Sequence, residues 1–193
     1  MPMRILPTVL VLLCACTAVS AENDVAASWA ALRAGGTVAV LRHTNADNGP
    51  ATPPAVIRAD DCSTQRNLTD RGRAEARQLG DQFRTERIPV AKVLTSDWCH
   101  AHQTATLLGL AAPEVASSFG AFMDQERIRE MTEQARDLVA GWSDPGTLVV
   151  VTHQTNVLAL LGIKPDEGEI VVIKPEPADS AKLRVLGRIP LQR

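Results

Sequence analysis

Four histidines are the residues of this chain whose positions most strongly suggest chemistry. His43, His100, His102 and His153 each follow a short apolar run or lie a few residues beyond one. An imidazole can act as a nucleophile, a general acid or base, or a metal ligand. Arg42 precedes His43 and carries a fork of N–H donors suited to carboxylate or phosphoryl oxygens. Scattered surface histidines would show no such preference, so the pattern predicts one shared site.

The apolar runs before the histidines have the valine content and length of buried strands. We predict strands over residues 37–41, 92–95, 147–152, 169–174 and 183–186. Helical spacing predicts helices over residues 70–87, capped by Thr69, then 99–108, 125–142 and a short one ending near Gly162. Residues 45–66, with three prolines, are predicted to be a loop. This alternation predicts an α/β fold, a three-layer α/β/α sandwich with a mostly parallel central sheet. In such sheets ligands bind beyond the carboxyl ends of the strands, where the histidines lie.

The amino terminus has the pattern of a secretory signal. Arg4 precedes an apolar stretch, and small residues lead up to Ala21. We predict a signal peptide over residues 1–21 and a single domain over residues 22–193, hence a periplasmic or secreted protein. One alternative is a buried first helix of the domain. Another is a lipoprotein whose lipidated first residue is Cys16.

Charge and hydropathy exclude some classes of partner. The chain has 20 basic and 22 acidic residues, interspersed, which gives no basic field for nucleic acid. No segment after the leader is apolar enough to span a bilayer stably.

Beyond the leader the cysteines are Cys62 and Cys99. In an exported chain these form either one disulfide or two free thiols.

Four ordered stretches resemble the histidine phosphatase superfamily. They are Leu41-Arg42-His43, QRNLTDRG at residues 65–72, SDWCHAHQTA at residues 96–105 and Val151-Thr152-His153. The resemblance covers nearly the whole mature chain and implies a phosphoglycerate mutase-like fold. The chain is also similar to the exported subgroup that resembles lipopolysaccharide heptose phosphatases. That subgroup has cysteines at corresponding places, which supports a Cys62–Cys99 disulfide.

The resemblance implies a metal-independent phosphomonoesterase with no cofactor. A neutral His43 would attack phosphorus and form a phosphohistidine that water hydrolyses, while a backbone carbonyl holds its other ring nitrogen. Arg42 would bind the phosphoryl oxygens, and a protonated His153 would donate from the opposite side. The substrate would be a phosphorylated small molecule or an envelope phosphosugar.

Two positions depart from the family pattern. Thr44 stands where the family usually has glycine, and either narrows the approach to His43 or faces away. His100 stands where a second phosphate-binding arginine is expected, and histidine holds a proton only in acid or beside an anion. Losing one charge-assisted hydrogen bond costs roughly 1.5–3 kcal/mol of phosphate stabilisation. Activity is then weak or acid-dependent, unless Arg66 substitutes.

His100 also keeps two alternative functions open. One is a catalytically weak binding protein for phosphate or a phosphosugar. The other is a zinc protein that uses three or four of the histidines, although close-spaced metal motifs are lacking.

The general acid is predicted from position alone. Glu126 lies between the second motif and the last histidine, where the family often places this residue, and Asp124 is the runner-up. Both are equally consistent with solvated charges at the start of a helix. Glu169 is a more distant candidate.

Overall fold

The computed structural model describes residues 16–49, 60–121, 124–176 and 183–192. Helices and strands alternate along most of this length. The helices are α1 (Cys16–Ala34), α2 (Asp70–Thr85), α3 (Cys99–Leu108), α4 (Gln125–Ala140) and α5 (Gln154–Leu161). The strands are β1 (Val38–Arg42), β2 (Val90–Thr95), β3 (Pro113–Val115), β4 (Thr147–Thr152), β5 (Ile170–Lys174) and β6 (Arg184–Ile189). A short 3₁₀ helix covers Ser117–Phe119.

The strands form one mostly parallel sheet, as predicted. Its order is β3-β2-β4-β1-β5-β6. The first four of these run parallel, whereas β5 is antiparallel to both β1 and β6. Because β2, β4 and β1 are adjacent and parallel, their carboxyl ends meet at one edge of the sheet. These are the strands that precede the histidines.

Alternate residues of each strand face opposite sides of the sheet. Ala39 and Leu41 of β1 pack in a core with α1, α2 and α3. Val38 and Val40 pack in a second core with α4 and α5. Both faces are therefore covered by helices, which confirms the predicted α/β/α sandwich.

The predicted elements begin and end within a few residues of the bounds expected from the sequence. The Thr69 hydroxyl accepts the Gly72 N–H at 3.0 Å, so Thr69 caps α2 as predicted. The helices α2 and α4 stop two residues earlier than predicted, and β6 extends to Ile189. The edge strand β3 and the 3₁₀ helix were not predicted, because each has only three residues and β3 is largely exposed.

The helix α1 runs through the predicted cleavage point at Ala21. From Asp24 onward it belongs to the packed domain: Trp29 is buried edge-on against Phe83, with ring centroids 5.6 Å apart. Residues 1–15 and the side chain of Cys16 lie outside the described part of the chain, so the leader stays a prediction.

The prolines of the 45–66 loop also lie outside the described part of the chain. In the described segments, no helix has the length and apolarity that crossing a bilayer requires.

Candidate active site

Three of the four histidines meet at the edge of the sheet. His43 follows β1, His100 lies in the first turn of α3 after β2, and His153 follows β4 and precedes α5. The His43 ring centroid is 4.4 Å from that of His100 and 5.5 Å from that of His153. Each side chain is at least nine-tenths buried, with 3%, 3% and 5% exposure respectively. His102 is half-buried on α3 and is not part of this cluster.

The His43 ring is oriented by its own neighbour. Its Nδ1 lies 2.8 Å from the Thr44 carbonyl oxygen, so Nδ1 carries the proton and donates it. A backbone carbonyl therefore holds the ring as expected, and the Nε2 lone pair is available for attack. The Thr44 hydroxyl donates to the Gly72 carbonyl of α2 at 2.9 Å and contacts the Thr104 hydroxyl of α3. Thr44 thus directs its side chain toward these helices.

His153 is hydrogen-bonded at both ring nitrogens. Its Nε2 lies 2.8 Å from the Ser96 hydroxyl, and its Nδ1 lies 3.1 Å from Nε2 of His100. Ser96 accepts the Trp98 N–H at 3.0 Å and donates to Asp97 at 3.4 Å, so it accepts from His153 Nε2–H. His153 Nδ1 is then an acceptor for His100 Nε2–H. Nδ1 of His100 is buried and has no hydrogen-bond partner among the described residues.

Burial keeps the three imidazoles neutral near pH 7. It lowers the pKa of His43 to about 4 and that of His100 to about 3, with further lowering by neighbouring positive groups. Burial also holds the pKa of His153 well below its usual value. Neutrality suits a nucleophilic His43. It does not favour the protonated His153 expected from the sequence, and it leaves His100 uncharged in mild acid.

Arg42 is held by the segment that follows α5. Its Nη1 donates to the Pro165 carbonyl at 3.0 Å, and Nη2 lies 3.6 Å from a Glu167 carboxylate oxygen. Its Nε is buried and lacks a hydrogen-bond partner in the described ranges. Both terminal nitrogens of the guanidinium are therefore engaged by this segment, whereas the N–H of Nε is left without a partner among the described residues.

Arg66 brings a second positive charge to the cluster. Its charge lowers the pKa of His43, His100 and His153, so the guanidinium acts on all three rings. The Arg66 Nε donates to the Asp47 carbonyl at 2.5 Å. The sequence suggested Arg66 as a substitute for the missing arginine, and its position is consistent with that role.

A disulfide ties the loop that carries Arg66 to the start of α3. Cys62 and Cys99 are bonded, with Cα atoms 5.6 Å apart. The side-chain carbonyl of Gln65 also accepts the Cys99 N–H at 3.0 Å. This confirms the Cys62–Cys99 pairing that the resemblance supported. Arg66 and His100, each next to one of these anchors, are thereby kept together.

The predicted general acids lie at the start of α4. Asp124 is exposed and caps the helix by accepting the Arg127 N–H at 2.9 Å, and Glu126 is exposed in the first turn. Neither carboxylate is among the charges that perturb the three histidines. Glu169 is paired with Arg188. The structure therefore does not link these carboxylates to the cluster, and their role stays a prediction.

Asp97 is a carboxyl group near the cluster that the sequence analysis did not single out. It is half-buried, and burial raises its pKa above the usual value. It accepts from the Ser96 hydroxyl, which also contacts His153. Its signal in the sequence is its position two residues after the end of β2, which equally indicates the start of a helix.

A family model supports the interpretation of these motifs. The model of the histidine phosphatase superfamily (branch 1) matches residues 38–132, a range that includes His43 and His100 but ends before His153. No curated protein matches the sequence of the chain.

Solved structures share the fold. The protein histidine phosphatase SixA complexed with tungstate is 18% identical, with a TM-score of 0.58 over 80% of this chain and 96% of that one. Phosphoglycerate mutase from Thermus thermophilus is 19% identical, with a TM-score of 0.53 over 81% and 99%. A mycobacterial glucosyl-3-phosphoglycerate phosphatase is 15% identical, with a TM-score of 0.54 over 77% and 96%. These likenesses support the fold, and the family model supports the motifs. The chain belongs to the histidine phosphatase superfamily.

Proposed function

We propose that this protein is an exported, metal-independent phosphomonoesterase that acts through a phosphohistidine at His43. The observation that carries the proposal is the His43 ring: it is neutral, its Nδ1 is held by the Thr44 carbonyl, and Arg42 adjoins it. The Nε2 lone pair attacks phosphorus as the bond to the leaving oxygen breaks. Water then attacks the phosphohistidine, the N–P bond breaks, and inorganic phosphate leaves.

Two arginines supply the positive charge that this transfer requires. Arg42 has an unpartnered buried Nε, and the charge of Arg66 acts on all three imidazoles. His100, which is neutral, offers no charge in place of the expected arginine. We therefore expect slow turnover, with Arg66 carrying part of the role of the missing residue.

The proposed export and the proposed substrate class are based on the sequence. The leader predicts a periplasmic or secreted location, with a lipoprotein through Cys16 as the alternative. A phosphorylated small molecule or an envelope phosphosugar fits that location and the superfamily chemistry.

Turnover of a panel of phosphomonoesters tests the proposal. The assay is run with a chelator, in mildly acidic and in neutral buffer. We expect slow hydrolysis by the wild type, loss of turnover in His43→Ala, a raised KM in Arg66→Ala, and wild-type rates in His102→Asn. A folded wild-type protein that hydrolyses no member of the panel would exclude the proposal.

The weak binding protein remains the second candidate, because His153 is already engaged by Ser96 and by His100. Freeing an N–H of His153 for a phosphate would require breaking this network. A binding protein would show saturable phosphate binding without hydrolysis by calorimetry. It would gain turnover only in His100→Arg.

A further inference from the structure

The three clustered imidazoles have the spacing of a metal site. One ring nitrogen from each of His43, His100 and His153 can be chosen so that all lie within 4.8 Å of one another. Two nitrogens bound to one tetrahedral Zn²⁺ at about 2.0–2.1 Å lie about 3.4 Å apart. His100 Nε2 and His153 Nδ1 are already 3.1 Å apart. Side-chain shifts that bring the remaining nitrogen pairs from at most 4.8 Å to about 3.4 Å would complete a three-nitrogen zinc site.

In metal-binding histidines, the ring nitrogen that does not bind the metal donates its N–H to a fixed acceptor. Two of the corresponding ring nitrogens of this cluster have similar partners. His43 Nδ1 donates to the Thr44 carbonyl, and His153 Nε2 donates to Ser96. The Arg66 carbonyl lies beside the His100 ring and acts on it, although no atom satisfies Nδ1 among the described residues. Moving the His100 proton from Nε2 to Nδ1 would direct it toward that carbonyl. All three inner nitrogens would then present lone pairs.

We propose that His43 Nε2, His100 Nε2 and His153 Nδ1 together bind one Zn²⁺ ion, and that the bound ion blocks phosphoryl transfer to His43. The second half rests on the proposed function, since the ion would occupy the attacking lone pair. Replacement of an arginine by His100 removes a charge that would repel the ion and adds a ligand. A three-histidine site leaves the fourth position for water or an anion oxygen.

The charged side chains near the three histidines lower the expected affinity for Zn²⁺ but do not prevent its binding. Arg42 and Arg66 repel a dication. Asp47, whose charge acts on His100, and Glu167, which pairs with Arg42, partly offset them. We therefore expect weaker binding than in a fully closed structural zinc site with four ligands.

Zinc retention by the untagged full chain tests the site. Protein stripped with a chelator is incubated with zinc chloride, dialysed and analysed for metal, and cobalt is used in parallel for its visible absorption. We expect one zinc per chain and a tetrahedral cobalt spectrum in the wild type and in His102→Asn, and at least a tenfold loss of affinity in His100→Arg and in His153→Asn. Thermal melting verifies that each variant is folded. Failure of the wild type to retain zinc, or equal retention by folded His100→Arg, would overturn the proposal.

Phosphorylation of His43 during turnover distinguishes the zinc-site proposal from the proposed phosphomonoesterase function. The same preparations are mixed with a phosphomonoester, with chelator or with zinc. We expect zinc to reduce labelling at least tenfold in the wild type but not in His100→Arg. Unchanged phosphorylation of His43 in the zinc-loaded wild type would contradict the proposal that bound zinc blocks phosphoryl transfer. Zinc binding without labelling in chelator would reject the proposed function and leave the zinc site standing.

Discussion

At the scale of single residues, His100 decides how much charge the site can offer to a phosphate. It stands where the resemblance to the superfamily predicts a second phosphate-binding arginine. The side chain is buried, and this burial lowers its pKa to about 3. It therefore contributes neither a permanent charge nor one gained in mild acid. Its ring is instead hydrogen-bonded to His153.

Restoring the arginine should accelerate the reaction. His100→Arg adds a charge-assisted hydrogen bond of roughly 1.5–3 kcal/mol, which corresponds to an increase of about 10–150-fold in kcat/KM. His102→Arg, on the same helix outside the cluster, is the control and should leave kcat/KM unchanged. A folded His100→Arg protein that is no faster than the wild type would show that charge is not what limits the site.

The proton donor can be assigned by comparing carboxyl variants. A general acid is more effective when its pKa is raised toward the operating pH. Burial raises the pKa of Asp97, and its carboxylate is linked to His153 through the Ser96 hydroxyl. We expect Asp97→Asn to slow hydrolysis of alkyl phosphates by about 10²–10⁴-fold and to spare aryl phosphates, whose leaving groups need no proton. Glu126→Gln and Asp124→Asn are measured in parallel, because the sequence predicts Glu126 as the donor, with Asp124 as the runner-up. A loss confined to Glu126→Gln or Asp124→Asn would assign that residue, and not Asp97, as the donor.

At the scale of elements, the disulfide connects the loop of Arg66 to α3. Because Cys99 is the first residue of α3 and His100 is the second, the bridge fixes the loop beside the cluster. The loop makes further contacts with α3: the Gln103 side-chain carbonyl accepts the Leu68 N–H at 2.9 Å. The position of Arg66 thus depends on both covalent and hydrogen-bonded links.

Removing the bridge should lower both stability and turnover. The double variant Cys62→Ser/Cys99→Ser is expected to lose roughly 2–5 kcal/mol of the free energy of unfolding, measured in urea. Its turnover should also fall, because Arg66 is less well fixed. Adding a reductant to the double variant, as a control, should change nothing further. Equal stability and turnover in the oxidised wild type and the double variant would contradict this role.

Some elements were predictable because local sequence alone determines them. The helix α3 and the strand β4 have the predicted bounds, since Gly109 ends the former in a left-handed conformation and the latter is an unbroken buried run. The close approach of Gly80 in α2 to the Leu108 carbonyl was not predictable. A Cβ at Gly80 would lie 2.0 Å from that oxygen, a contact created by helix packing.

Part of the candidate site was also predictable from the sequence. Histidines that follow parallel strands meet at one edge of the sheet if those strands are neighbours. In the structure β2, β4 and β1 are adjacent, which the sequence did not predict. The His100–His153 hydrogen bond and the link through Ser96 depend on distances between different elements. No spacing in the sequence reports those distances, so Ser96 and Asp97 were missed as parts of the network.

At the scale of the whole molecule, the buried histidines couple stability to pH. The unfolded chain binds protons at these residues below about pH 6.5, whereas in the folded protein His43 and His100 resist protonation until about pH 4 and 3. The free energy of unfolding is therefore highest above pH 6.5 and falls as the pH drops. The loss is at most roughly 1.4 kcal/mol per pH unit for each histidine.

Urea unfolding between about pH 6.5 and pH 5 measures this coupling, since most carboxylates stay ionised there. We expect a falling free energy of unfolding for the wild type and a shallower fall for His100→Asn, which has one buried imidazole fewer. His102→Asn is the control and should follow the wild type. A flat profile for the wild type would contradict neutral burial of the cluster.

The most direct measurement is the location of the phosphoryl group during turnover. The protein is mixed with an aryl phosphate in the presence of chelator, quenched in alkali to preserve phosphohistidine, and mapped by mass spectrometry. We predict one phosphoryl group on His43 in the wild type and in His102→Asn, and none in His43→Ala. Turnover by the wild type without phosphorylation of His43 would contradict the assignment of His43 as the nucleophile.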